Sequence, residues 1–87
     1  MRRVDYYVFK DVTRWKVRYR DTYIHFPDEH SAMAGAVWTA HGAGVRGDEP
    51  RVLTQAGAGL WKVAWAYGDP YPPHGLFAEI AERQKRD

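Results

Sequence analysis

Four histidines, a single serine, two adjacent acids and a run of alternating cations are the side chains in this chain that could do chemistry. A nucleophilic or acid–base site needs a nucleophile, a base and a group to orient it. There is no cysteine, and Ser31 falls in what reads as a first helical turn, where a short hydroxyl serves the helix start. Asp28 and Glu29 sit at the same start, and capping accounts for them. His25, His30, His41 and His74 include no i, i+4 pair. On one helix, His30 and His41 would be about three turns apart, too far to share a metal ion. Ala56-Gly57-Ala58-Gly59 lacks the Lys-Ser/Thr of a phosphate loop and precedes a strand pattern, so it reads as a hairpin connection. Arg46-Gly47-Asp48 is ordinary turn chemistry. The residues therefore point to no enzyme, no cofactor and no metal.

The cations are better organised. In Trp15-Lys16-Val17-Arg18-Tyr19-Arg20, Trp15, Val17 and Tyr19 fall on one side of a strand, and Lys16, Arg18 and Arg20 on the other. Arg14 stands at the adjoining turn, and Arg2 and Arg3 lie on the nearby tail. Residues 1–20 carry seven basic and two acidic residues, although the whole chain is only +2. Cations interleaved with aromatics such as Tyr7 and Phe9 are the chemistry of a sheet that stacks bases and holds phosphates. Arg14, Lys16, Arg18, Arg20 and Tyr7 are thus the candidate nucleic-acid-binding residues, provided the helix packs on the opposite face. The same pattern also fits the solvated side of an amphipathic sheet.

The elements that must position these groups follow from period and punctuation. Val4 to Asp11 reads as a strand, with Val4, Tyr6 and Val8 on one face and Asp5, Tyr7 and Phe9 on the other. A turn at Asp11–Arg14 leads into Trp15–Arg20. Thr22 to Phe26 is a third short strand or a continuation of the second. Asp28 is an N-cap for a helix over Glu29 to His41, with Met33, Ala36, Val37 and Ala40 in one stripe and Gly42 as the left-handed residue that ends it. Ala43 to Pro50 reads as a loop, and Arg51 to Gln55 as a strand. In the last strand, Leu60 to Tyr67, strict alternation puts Trp61, Val63, Trp65 and Tyr67 together, with Trp61 and Trp65 as core anchors. The prolines of Gly68 to Gly75 stiffen that segment, and Leu76 to Arg86 has helix chemistry.

Several of these features have a familiar look: Tyr6-Tyr7-Val8, Trp15-Lys16-Val17, Phe26-Pro27-Asp28, the helix alanines Ala32, Ala36 and Ala40, and the hairpin closed by Gly59. Over roughly residues 6–67 the chain resembles a family of small bacterial domains of unknown function with a ββαββ core. Asp28 stands where that family tends to have Thr, which keeps the cap, and Arg14 stands where it usually has Gly. The resemblance implies an α+β fold and brings no established activity.

Eighty-seven residues make one domain, and such a chain buries only about 60–65% of its unfolded surface. The aromatic fraction of 15% supplies large apolar area per residue. The absence of cysteine fits a reducing compartment, and no segment reads as a signal peptide or a membrane span. The expected architecture is α+β and two-layered. An antiparallel sheet of four or five strands carries one main helix on one face, with a short C-terminal helix. Residues 1–67 form the core domain, 68–75 a Pro-rich linker and 76–87 an amphipathic helix. The expected role is a cytoplasmic, non-enzymatic module for a protein partner or for homodimerisation. Trp38, which lies off the apolar stripe of the first helix, would supply its surface together with Leu76, Phe77 and Ile80. Trp38 covered by the tail or a loop is the plainer reading. Nucleic-acid binding on the basic face is the alternative, and no membrane partner is expected.

Overall fold

The computed structural model describes residues 2–71. Its elements are β1 (Arg3–Asp11), β2 (Arg14–Tyr19), β3 (Thr22–Phe26), α1 (Glu29–Val45), β4 (Glu49–Gly57) and β5 (Leu60–Ala66). The strands form one sheet in the order β3-β2-β1-β4-β5, and α1 packs across one face against β1 to β4. Thr22 to Phe26 is a strand of its own. It is set off by a two-residue turn in which Arg20 takes φ of 54°.

The sheet is mixed, which corrects the antiparallel expectation. β1–β2, β2–β3 and β4–β5 are antiparallel, but β1 and β4 run parallel, with Val4 beside Pro50, Tyr6 beside Val52 and Val8 beside Thr54. Hairpins reverse direction, whereas a helix long enough to recross the sheet restores it. The 17-residue α1 carries the chain from the β3 edge back over β2 and β1, so β4 lands on the free side of β1 in the same direction. The C-terminal helix expected over 76–87 lies outside the described residues.

The core is one-sided. The sheet contributes Val4, Tyr6, Val8, Val17, Val52 and Trp65, with Trp15, Tyr19 and Phe26 at its margin. The helix contributes mostly alanine: Ala32, Ala36, Val37, Ala40 and Ala43 are all buried. Volume therefore comes from the sheet and closeness from the helix. A Cβ added to Gly35 would stand 2.6 Å from Cζ of Phe26, and one on Gly44 would overlap the Tyr67 ring.

The helix starts as expected. Asp28 is extended (φ −148°, ψ 168°), and its Oδ1 accepts the Ser31 N–H at 2.7 Å. It ends a turn later than expected. Gly42 is helical, and α1 continues because Ala43 and Gly44 prolong the small buried face. Gly47, at φ 103°, is the left-handed residue instead. The Gly47 N–H donates to the Gly44 carbonyl and the Asp48 N–H to the Ala43 carbonyl, both at 3.0 Å, closing a Schellman motif. Arg46-Gly47-Asp48 is thus a helix stop, and the expected loop from Ala43 shrinks to three residues.

Two outcomes follow. Gly42→Ala places a Cβ near only the flexible end of Arg46 and should stabilise by up to about 1 kcal/mol in urea unfolding. Gly35→Ala gains the same propensity but drives into Phe26, so a net loss of about 1–2 kcal/mol is expected. A destabilised Gly42→Ala would restore the shorter helix.

Burial, helped by the neighbouring Tyr19, holds the Tyr6 hydroxyl above the ordinary phenol value of 10.0. The folded chain then keeps this proton more tightly than the unfolded chain. The stabilisation is full below pH 10.0 and is lost as pH climbs through the folded value. Alkaline unfolding curves should therefore lose part of their pH slope in Tyr6→Phe.

Candidate functional site

The face of the sheet away from α1 carries the second set of side chains from every strand. Register aligns Tyr23, Arg18, Tyr7, Leu53 and Val63 in one row across β3, β2, β1, β4 and β5. A second row holds His25, Lys16 and Phe9, and Trp61 lies opposite Gln55 at its β5 end. On the other flank Asp5 faces Arg51.

Trp61 belongs to this face, which overturns its expected place in the core. Val52 pairs with Trp65, but the next pair is Leu53 with Val63, so Ala64 is an extra, unpaired residue. The bulge breaks the alternation, and everything before it in β5 changes face relative to a regular strand. Trp65 alone stays with the core, 3% exposed, and its Nε1–H donates to the Pro70 carbonyl at 3.1 Å. Trp61 is 39% exposed. Tyr67 leaves the strand and lies beside Gly44, 5.8 Å from the His41 ring.

Trp61 reaches across β4 to the aromatic rings of β1. Its centroid is 4.9 Å from Tyr7 and 6.3 Å from Phe9, both edge-on. Leu53, on the intervening strand, is buried. The Arg18 guanidinium lies 5.9 Å from the Tyr7 ring centre, and Lys16 Nζ the same distance from that of Tyr23. Tyr7, Phe9, Arg18, Tyr23 and Trp61 line a shallow cleft of about 320 Å³. Beside it, Arg2, Arg3, Arg18 and Arg20 border a depression of about 490 Å³.

The cations are not equally available. Arg51 holds Asp5 through two hydrogen bonds of 2.9 Å, which keep its guanidinium above the ordinary arginine value. Lys16 is paired with Asp11. Arg20 lies 4.0 Å from Asp48, beside the helix end. Arg18 is exposed and has no carboxylate partner among the described residues.

Of the candidate nucleic-acid residues, Tyr7, Lys16 and Arg18 therefore share one face. Arg14 joins it by alternation at the far end of β2, beside His25. Arg20 sits in the turn at the opposite end. Tyr23 and Trp61 were not anticipated. Tyr23 was legible from its alternation with Ile24, but nothing in the residues announces the bulge that turns Trp61 outward. The candidate protein-interface residues do not come together here. Trp38 is exposed on α1, across the sheet from this face, while Leu76, Phe77 and Ile80 lie outside the described residues. The described start of the Pro-rich segment folds back, with Tyr71 stacked on His41 at 3.6 Å.

Among the described residues, no three His, Asp or Glu side chains converge as metal ligands, and no helix is long and apolar enough to cross a membrane. Comparison with protein-family models, curated proteins and solved structures finds no match to this chain.

The bulge separates two tryptophans that strict alternation would make equivalent. Trp65→Ala should cost about 3–5 kcal/mol in denaturant unfolding. Trp61→Ala, losing edge-on ring contacts on an open face, should cost less than about 2 kcal/mol. Equal losses would put both rings in the core.

Proposed function

We propose that this protein is a non-enzymatic module that binds single-stranded nucleic acid on the open face of its sheet. The observation that carries the reading is Arg18, a cation without a carboxylate partner among the described residues, set over Tyr7 in a cleft walled by three more aromatic rings. A phosphate needs the cation, and an unpaired base needs a ring face. Stacking on such rings is worth about 1–3 kcal/mol per base. An open sheet face with aromatic rings suits splayed bases better than a duplex groove. The resemblance to small bacterial domains adds no chemistry to this reading.

Self-association is the second reading, favoured by Leu60 and Val63, which are 64% and 48% exposed on the outer strand β5. It would draw on Trp38 and on the stripe Leu76, Phe77 and Ile80. The open face suits it poorly. A two-fold interface sets the same patch against itself, so the Arg18 regions of both copies would be brought together.

The test is an amide NMR titration with eight-nucleotide single strands and a matched duplex, at low and at physiological salt. Shifts should centre on Tyr7, Arg18 and Trp61 and weaken with salt, with a log–log slope near −0.7 per phosphate held. Arg18→Ala should weaken binding about ten- to a hundredfold, as for the loss of one charge-assisted contact. Absence of shifts at low salt refutes the reading. Sedimentation that depends on protein concentration but hardly on salt would favour self-association instead.

A further inference from the structure

We infer that the bound strand crosses the sheet at right angles to the β-strands, with adjacent bases on two stacking positions and the phosphate between them on Arg18. The inference rests on the reading above and adds to it a direction and a register. One stacking position is the Tyr7–Trp61 pair and the other is Tyr23, which is 53% exposed on the edge strand β3.

Register dictates this order. Arg18 is the direct cross-strand neighbour of Tyr7 on one side and of Tyr23 on the other. Neighbouring strands lie about 4.8 Å apart, so the two rings are anchored about 10 Å apart with the guanidinium midway. A path along the β-strands would be less favourable. Towards one end it meets Asp5, whose carboxylate is already held by Arg51. Towards the other it meets Lys16, already engaged by Asp11. Beyond Tyr7, on β4 and β5, the row continues as Leu53 and Val63, which offer a phosphate nothing. The depression bordered by Arg2, Arg3 and Arg20 is also lined by Asp5 and Asp21 and lies at the Asp5 end of β1 and β2, so it flanks the row and does not extend it. The site is therefore a two-base, one-phosphate step centred on Arg18.

The experiment uses the full chain, with amide and indole signals followed during titration with uridine monophosphate, the dinucleotide UpU, and octamers of uridine and of thymidine. Wild type should bind UpU more tightly than the mononucleotide, with Tyr23, Arg18 and the Trp61 indole all shifting. Tyr23→Ala should weaken octamer binding roughly five- to a hundredfold, as expected for one lost stack. It should also reduce UpU to the affinity of the mononucleotide, whose shifts at Trp61 persist. Tyr23→Phe should bind like wild type, because the ring and not the hydroxyl does the stacking. Octamers that still shift Arg18 and Trp61 at unchanged affinity in Tyr23→Ala would overturn the crossing path while leaving nucleic-acid binding standing. Octamers that shift nothing in the wild type at low salt would overturn both.

Discussion

The closeness of one small-faced helix to one aromatic sheet face governs the rest of this molecule. Ala32, Ala36, Ala40 and Ala43, with Gly35 and Gly44, let α1 settle onto Tyr6, Phe26 and Trp65, with no room for a Cβ at Gly35 or Gly44. Among the described residues there is one helix for five strands, so the sheet has a core on one side only. Among the described residues, large side chains on the other side are sheltered by one another. Trp61 spanning β4 towards Tyr7 and Phe9, with Leu53 buried on the intervening strand, is that shelter. The cleft at Arg18 is thus a by-product of how a thinly covered sheet hides its apolar residues.

Much of this was legible in period-2 patterns. The alternation of Trp15 to Tyr19 and of Val4 to Phe9 places those side chains of β1 and β2 on their observed faces, since facing in a regular strand is purely local. Asp28 was legible for the same reason, because a cap acts within its own first turn. The features that escaped depend on distant partners. The parallel pairing of β1 and β4 is decided by where α1 sets the chain down. The extra helical turn past Gly42 is decided by burial of Ala43 and Gly44. The position of Trp61 is decided by a register slip against β4. Of the five cleft residues, Tyr7, Phe9, Arg18 and Tyr23 fall on this face by alternation alone, and Trp61, the one contributed by β5, does not.

Charge counting also changes meaning once the fold is known. The first twenty residues read as a strongly basic run, yet Lys16 is engaged by Asp11, and Arg51 on the neighbouring strand by Asp5. The exposed Lys16–Asp11 pair adds little stability, whereas Arg51–Asp5 is part-buried and doubly hydrogen-bonded. Their effect is local, because each lowers the net charge around its cation. What distinguishes Arg18 is therefore its neighbours: aromatic rings on both flanks where other cations of the face have acids.

The bulge has a different meaning for how the chain can vary in length. Removing one residue from a strand ordinarily turns over everything on one side of the cut. Ala64 is the exception, because it is the residue that β4 leaves uncounted. Without it, Val63 would follow directly before Trp65, the ladder would become regular between Val52 and Gln55, and Trp61, Val63 and Trp65 would keep their present faces. The outer strand can therefore shorten by one at this position, and only there, with core and cleft both conserved. Among chains of this fold, a gap at Ala64 would mark a change of twist and not a change of surface.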